Sequence, residues 1–410
     1  MIKFNFPSPY LLRDDIIAGL TVGVITIPQA MAFALLAGLP PIYGLYGSFF
    51  PLVVYAFLGT SNYLNLGPVS VISIFVYTTL TPFVDPFTED YVNAVIILGI
   101  MIGVFQCLGG FLRLGKYFDY IPKSVVSGFV QAAAVVIMIS QITPAFEVVL
   151  PMGLNYFEKL FYFLNHLNEA HFMTSLFFMV SLFLLFLIPH FFSSFPTAIV
   201  LLCISGILAF LFDLEQKGIR LIGEVPKGLP HVILPQWNTT AIDYFSGALG
   251  IAFVTTVGSF VMAKNVEDRQ PHPWKANRDM IALGAAKIVS AFFGSLVPAG
   301  SFNRSILNIK AGAKTQISGL VAALVILFTL LFLTPIVYYL PQSVIAAIIV
   351  YSVYYLFDFS LIKHLWKNNR IQAVYLVLSF SITLIFGFVE GIAAGLITSI
   401  LGNIFLKKGN

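Results

Sequence analysis

Residues 67–70 read Gly67-Pro68-Val69-Ser70, and residues 300–305 read Gly300-Ser301-Phe302-Asn303-Arg304-Ser305. Each stretch is a break of small residues in otherwise apolar sequence, followed at once by helix-forming residues. The second places an arginine where the middle of a bilayer belongs, a costly position unless the cation is paired or faces a polar cavity. Two shortened helices that start at such breaks would aim free backbone N–H groups and positive dipole ends at one anionic group.

The surrounding composition fixes the solvent. Of 410 residues, 59% are hydrophobic and only 10% charged, which excludes a string of soluble domains and indicates a polytopic membrane protein. Apolar segments run to about 20 residues, the helix length that crosses roughly 30 Å of hydrocarbon. Short alternating strands of the porin kind are absent from the pattern. Met1 to Arg13 contains Pro7, Pro9 and charges and does not read as a cleavable signal, so the first span is expected to be retained. Cys107 and Cys203 lie far apart in apolar runs, and the six histidines lack ligand-like spacing. No metal site and no cofactor are expected.

Outward from the breaks, the chain reads as two sets of seven spans. The first set falls near 14–39, 42–58, a shortened helix from Gly67 and Pro68 to Leu80, then 91–112, 122–143, 173–193 and 196–212. A polar connection over 213–243 separates it from spans near 244–263, 278–296, 301–313, 315–338, 341–357, 372–388 and 390–406. Asp14 and Asp15 are expected to open the first helix at its positive end. Tyr120-Ile121-Pro122-Lys123-Ser124-Val125 before the fifth span is echoed by Tyr339-Leu340-Pro341-Gln342-Ser343-Val344 before the twelfth. The third span of each set is the interrupted one. Repeats of an odd number of spans are inverted in the membrane, so the predicted fold is all-α, with 14 transmembrane segments in two inverted repeats (1–212 and 244–410) and two half-helices meeting at the midplane.

Lys and Arg beside the loops set the orientation. Sixteen fall on the side of the N-terminus and four (Lys159, Lys217, Arg220, Lys227) on the other, which places both termini in the cytoplasm and the 213–243 connection outside. Arg304 and Lys287 are left over inside the membrane. Arg304 reads as an anion ligand, with a snorkelling or helix-neutralising role as the bland alternative. For Lys287 a structural contact to backbone carbonyls is as good a reading as a part in transport. The 18 acidic residues fall in loops or at span ends, which leaves hydroxyls and amides such as Ser70, Ser301, Asn303 and Ser305 beside the breaks, Gln29 in the first span, and Ser259 in the eighth. Phe33, one turn after Gln29, could present an aromatic wall.

These strings resemble a known family. DDIIAGLTVGVITIPQAMAFALLAGLPPIYGLYGSFFPLVVYAFLGTS (14–61), LGPVSVISIF (66–75), IGEVPKGLP (222–230) and NRDMIALGAAKIVSAFFGSLVPAGSFNRSILN (277–308) are similar to SulP sulfate permeases and their prestin-type animal relatives. The resemblance implies a core domain of spans 1–4 and 8–11, a gate domain of spans 5–7 and 12–14, and an elevator mechanism in a homodimer held through spans 13 and 14. It also implies an anion site lined by Gln29, Phe33, Val69, Ser70, Phe302, Asn303 and Arg304. Family members usually continue into a cytoplasmic STAS domain; this sequence ends at Asn410 and reads as lacking one. Ion-coupled members carry a carboxylate just before the serine of span eight, where this chain has Gly258-Ser259, and Met262 replaces a further polar group. The expected function is therefore exchange or uncoupled movement of a small anion across the cytoplasmic (inner) membrane, an antiporter more than a symporter. An anion channel on the same scaffold and a proton-coupled anion symporter are the alternatives. A nucleobase permease would want carboxylates where Gly258 and Asn303 stand, and no span carries an enzyme's constellation.

Overall fold

The structure, a computed structural model, describes residues 9–120, 122–151, 154–192, 197–223, 228–237, 239–267, 274–354 and 357–386, with short helical pieces at 390–391, 394–395 and 397–398. In chain order its first half holds α1 (Pro9–Leu36), α2 (Ile42–Leu58), β1 (Leu66–Gly67), α3 (Ser70–Leu80) and α4 (Glu89–Phe111). There follow α5 (Lys123–Ser140), α6 (Ile142–Phe146), α7 (Tyr156–Asn165), α8 (Phe172–Phe191) and α9 (Thr197–Leu211). The second half holds α10 (Phe245–Glu267), α11 (Ala276–Ala291), β2 (Ala299–Gly300), α12 (Phe302–Lys310) and α13 (Ile317–Phe328). It continues with α14 (Thr334–Val337), α15 (Gln342–Tyr354), α16 (Phe359–Asn368) and α17 (Arg370–Phe386).

Among the described residues, the segments 12–36, 89–111, 124–146 and 172–191 are helical, long and apolar enough to cross a bilayer by length and composition. In the other apolar helices the described apolar stretches are shorter, such as 245–260 within α10. The span expected over 315–338 is continuous helix from Ile317 to Val337, made of α13, a π-helical turn over Thr329–Leu333, then α14. Pro335 has no N–H to return to the preceding turn, and the backbone widens just ahead of it.

The helices divide into two compact units. Unit 1 comprises residues 1–118 and 225–335, and unit 2 comprises 119–224 and 336–410. In unit 1, α4 packs on α11 and α1 on α13. Small residues permit the first of these contacts: a Cβ at Gly103 would lie 2.7 Å from the carbonyl oxygen of Gly284. In unit 2, α5 packs on α17 and α15 on α8, and Ser379 donates to the carbonyl of Val125 at 3.0 Å. The 213–243 connection is shared out: Leu221 bridges Pro341 within unit 2, whereas Ile233 N donates to Phe292 O within unit 1.

Two carboxylates do work that their sequence positions conceal. Because α1 begins at Pro9, Asp15 lies past its first turn; fully buried, it accepts from Lys314 N at 2.7 Å and Thr315 N at 3.0 Å, tying down the entry to α13. Asp279, in the first turn of α11, is also fully buried. It accepts from Tyr55 Oη and Thr60 N at 2.7 Å each, from Trp274 Nε1 at 2.8 Å and from Thr60 Oγ1 at 3.0 Å. A buried carboxylate is stable only when so surrounded by donors.

Candidate functional site

The two breaks pair with each other. β1 and β2 form an antiparallel two-stranded sheet with Leu66 opposite Gly300 and Gly67 opposite Ala299. Two further bonds extend the junction: Ser301 N donates to Asn65 O, and Asn65 N donates to Ser305 Oγ, both at 2.9 Å. The sheet gives extended backbone its hydrogen bonds where no lipid or helix could supply them. α3 and α12 both start at this point, α12 capped by Ser301, whose hydroxyl accepts from Arg304 N at 3.4 Å. Val69, which precedes α3, offers no side-chain cap, so the first N–H groups of that helix keep their donor capacity.

Arg304 crosses from α12 to the other break. The residue is 1% exposed, its Nε donating to Asn65 Oδ1 at 3.1 Å and its Nη2 to Pro68 O at 3.0 Å. Gly67 permits the approach, since a Cβ there would stand 2.9 Å from Arg304 Nη2. Arg304 Nη1 and Asn65 Nδ2 are buried with no hydrogen-bond partner among the described residues. Both are donors, and one is charged. Buried donors without acceptors are expensive, and an anion is the ligand that satisfies a guanidinium and an amide together.

The remaining expected residues take different places. Gln29 is half-buried and Phe33 buried on α1, which packs against α3 and α12. Ser70 is buried at the start of α3, Val69 half-buried beside it. Asn303 is exposed, on the side of α12 away from the buried Arg304 and Ser305. The side chain of Phe302 lies outside the described set. Ser301 and Ser305 are engaged as cap and as acceptor for Asn65, so they shape the site through backbone groups. On α10, Ser259 Oγ accepts from Gly300 N at 3.1 Å and thereby anchors β2. Gly258 is exposed, and a Cβ there would meet no described heavy atom within 4 Å.

Asn65 escaped the sequence reading. It sits two residues before Gly67 in a polar break, but only the fold reveals that it bonds to both Arg304 and Ser305. Lys287 is also better partnered than expected, and not by backbone carbonyls. Fully buried in α11, it donates from Nζ to Gln106 Oε1 at 2.9 Å; Gln106 Nε2 in turn donates to Thr255 Oγ1 and Thr256 Oγ1 of α10, both at 2.8 Å. Thr255 and Ser259 are one helical turn apart, so this polar seam ends at the residue that holds β2.

The space at Gly258 yields a test. On the anion movement that the family resemblance implies, Gly258→Asp is expected to fold normally and to make that movement pH-dependent, because it places a titratable carboxylate beside Ser259 on a side with room for it. Uptake measured from pH 5 to pH 8 should change slope relative to the parent; identical profiles would show that this position does not face the anion.

Residues 12–379 match the Sulfate permease family. The chain is 34% identical over 396 residues to "Probable sulfate transporter 4.2" of Arabidopsis thaliana, covering 93% of this chain and 57% of that protein. It is 30% identical to the "Sodium-independent sulfate anion transporter" of Bos taurus, covering 96% of this chain and 69% of that one. The chain thus spans little more than half the length of the plant relative. Among solved structures it is similar to murine Solute Carrier 26 family member A9, an anion transporter captured inward-facing, with TM-score 0.89, 26% identity, and 96% and 68% of the two chains covered. The transmembrane domain of the cyanobacterium bicarbonate transporter BicA shares the fold, with TM-score 0.79 at 22% identity over 95% of this chain and 97% of that one.

Proposed function

The chain belongs to the sulfate permease family, whose relatives are transporters and not enzymes, and on that premise we propose that it is a secondary carrier of small anions of the sulfate, bicarbonate or chloride class. The observation that carries this reading is the pair of buried, unmatched donors, Arg304 Nη1 and Asn65 Nδ2, between two helix starts. An anion held there would accept from a fixed positive charge, an amide and the free backbone N–H groups of α3. Every described residue of the site falls in unit 1, which supports unit 1 as the body that carries the anion and unit 2 as the gate. Fourteen spans in two inverted repeats, a homodimer joined through the last two spans, an inner-membrane location and cytoplasmic termini complete the proposal.

Exchange or uncoupled movement is the mode we favour, because Gly258 offers no proton or Na⁺ ligand next to Ser259. Proteoliposome uptake of sulfate, bicarbonate and chloride, with and without an opposing anion, a Na⁺ gradient and a proton gradient, tests substrate and mode at once. Uptake that needs an internal anion and ignores both cation gradients is expected. Uptake driven by either cation gradient would overturn the mode, and no uptake of any anion would overturn the function.

Lys287 has a part in the moving protein more than in the ligand shell. Its ammonium is buried on a neutral amide, and among the described residues no carboxylate lies within ion-pair distance of it. Lys287→Met is expected to leave sulfate affinity within about threefold and to lower the transport rate by about tenfold or more, since losing one amide-bound ammonium frees Gln106 and with it the Thr255–Ser259 face of α10. Gln106→Leu should reproduce the effect. A variant that loses binding and transport equally would place Lys287 in the anion site itself.

A further inference from the structure

Two amphipathic helices of unit 2 hold matching places in the chain. α7 follows α5 and α6, α16 follows α15, and α5 and α15 are the helices opened by the repeated Pro122 and Pro341 motifs. Each has ten residues, about 15 Å of helix, too short to cross a bilayer and suited to lying along its surface. Each buries a narrow stripe and leaves large apolar side chains outside. In α7 Phe163 is buried while Phe157, Phe161 and Leu164 are exposed; in α16 Leu365 is buried, with Leu361 and Ile362 packed beside it against Ala373 and Leu376, while Phe359 and Trp366 are 63% and 60% exposed.

The two helices differ in charge. α7 carries one acid and one base, Glu158 and Lys159; Glu158 is consumed in a capping box with Asn155, and burial holds the Lys159 amine below the ordinary lysine range. α16 carries Lys363 and Lys367, with Arg370 at the start of α17 just beyond it, and all three are exposed. The nearby acid, Asp358, is the N-cap: it accepts from Ser360 Oγ and Leu361 N, bonds that hold its carboxyl below the usual range and keep it engaged at the helix start. At 100° per residue, Lys363 and Lys367 stand next to the exposed edge formed by Phe359 and Trp366, between that edge and His364.

We propose that α16 is a binding surface for acidic phospholipid headgroups, its Phe359 and Trp366 edge entering the boundary between headgroups and acyl chains while Lys363, Lys367 and Arg370 meet lipid phosphates. The side-by-side placement decides between occupants. A bilayer surface offers hydrocarbon and negative charge within one side-chain length of each other, and long basic side chains reach from one to the other. An acidic protein segment would match the lysines but not the aromatic edge. α7, with the same shape and no surplus charge, is the internal contrast: it fits a neutral interface.

The test uses the whole chain in bilayers. Of the three tryptophans, Trp237→Phe and Trp274→Phe leave Trp366 as the reporter, reconstituted in mixtures of phosphatidylcholine and phosphatidylglycerol with one or the other brominated to quench it. Each basic residue near an anionic surface is worth about a fivefold change in binding constant. Trp366 is therefore expected to prefer phosphatidylglycerol by about fivefold or more, and K363Q/K367Q/R370Q to bring the ratio to about one. Because Trp274 donates to Asp279 and its replacement could unfold the protein, native mass spectrometry of retained phosphatidylglycerol on the three-tryptophan chain gives a second reading. There the triple variant should lose the lipid, while Lys159→Gln on α7 should not. A parent ratio near one, retention unchanged in the triple variant, or an equal loss with Lys159→Gln overturns the proposal; retention unchanged would return these charges to solvent or to a protein partner.

Discussion

Arg304→Ala is expected to weaken anion binding by about 100-fold or more while the chain remains monodisperse. Truncating one partner of a buried charged contact costs about 2–5 kcal/mol, and 2.7 kcal/mol is already about 100-fold. Stability should move little, because two effects oppose each other. The variant loses the bonds to Asn65 Oδ1 and Pro68 O, but it also removes a guanidinium that is buried with no carboxylate in ion-pair distance among the described residues, and its desolvation works against the fold. The measurement is the rise in melting temperature with added sulfate, which reports ligand bound to the folded state. The parent should show it and the variant should not. Arg304→Lys should fall between, as it keeps a charge but cannot span Asn65 and Pro68 with one planar fork. An unchanged sulfate response in a monodisperse Arg304→Ala protein would sink the assignment of the site.

Asp279→Ala is expected to act the other way round, on folding and not on the ligand. It removes the acceptor shared by four donor groups of Tyr55, Thr60 and Trp274 and leaves an emptied carboxylate position. Leaving buried donors unsatisfied costs about 1–3 kcal/mol each when nothing relaxes, and breaking a buried charged cluster about 3–5 kcal/mol in all. The variant should melt well below the parent and elute largely as aggregate, and Asp279→Asn should recover only part of the loss, since its amide N–H₂ faces donors. A parent-like melting curve for Asp279→Ala would mean that these bonds are made equally well without the carboxylate.

Much of the candidate site is legible in the sequence because it depends on local chemistry. Glycine and proline breaks in apolar sequence mark interrupted helices, and a mid-span arginine marks polar surroundings, whatever the fold. What stayed hidden depends on partners far along the chain. Asn65 reads as one more polar loop residue until Arg304 reaches it, and Gln106 reads as an isolated amide in an apolar helix until Lys287 and the two threonines close around it. Asp15 was misread for the opposite reason: an acidic residue near a helix start is a good local signal for the helix dipole, yet here α1 begins earlier and the carboxylate serves the loop before α13. Asn303 illustrates the limit of adjacency, since its neighbour Arg304 is buried while it is exposed. Position beside a break does not settle which way a helical side chain points.

The pairing of Leu66 and Gly67 with Gly300 and Ala299 also sets a timetable for biogenesis. These strands are separated by more than half the chain, and all of residues 119–224, the first part of the other unit, is made between them. At a synthesis rate of about 5–20 residues per second, Asn65 and the open end of β1 wait roughly ten to fifty seconds in or near the membrane before their partners leave the ribosome. During that interval the nascent first half holds polar backbone that lipid cannot satisfy. Completion of the site is therefore a late event of assembly, and slowed translation between residues 119 and 300 should lengthen the period in which the immature chain is open to membrane proteases.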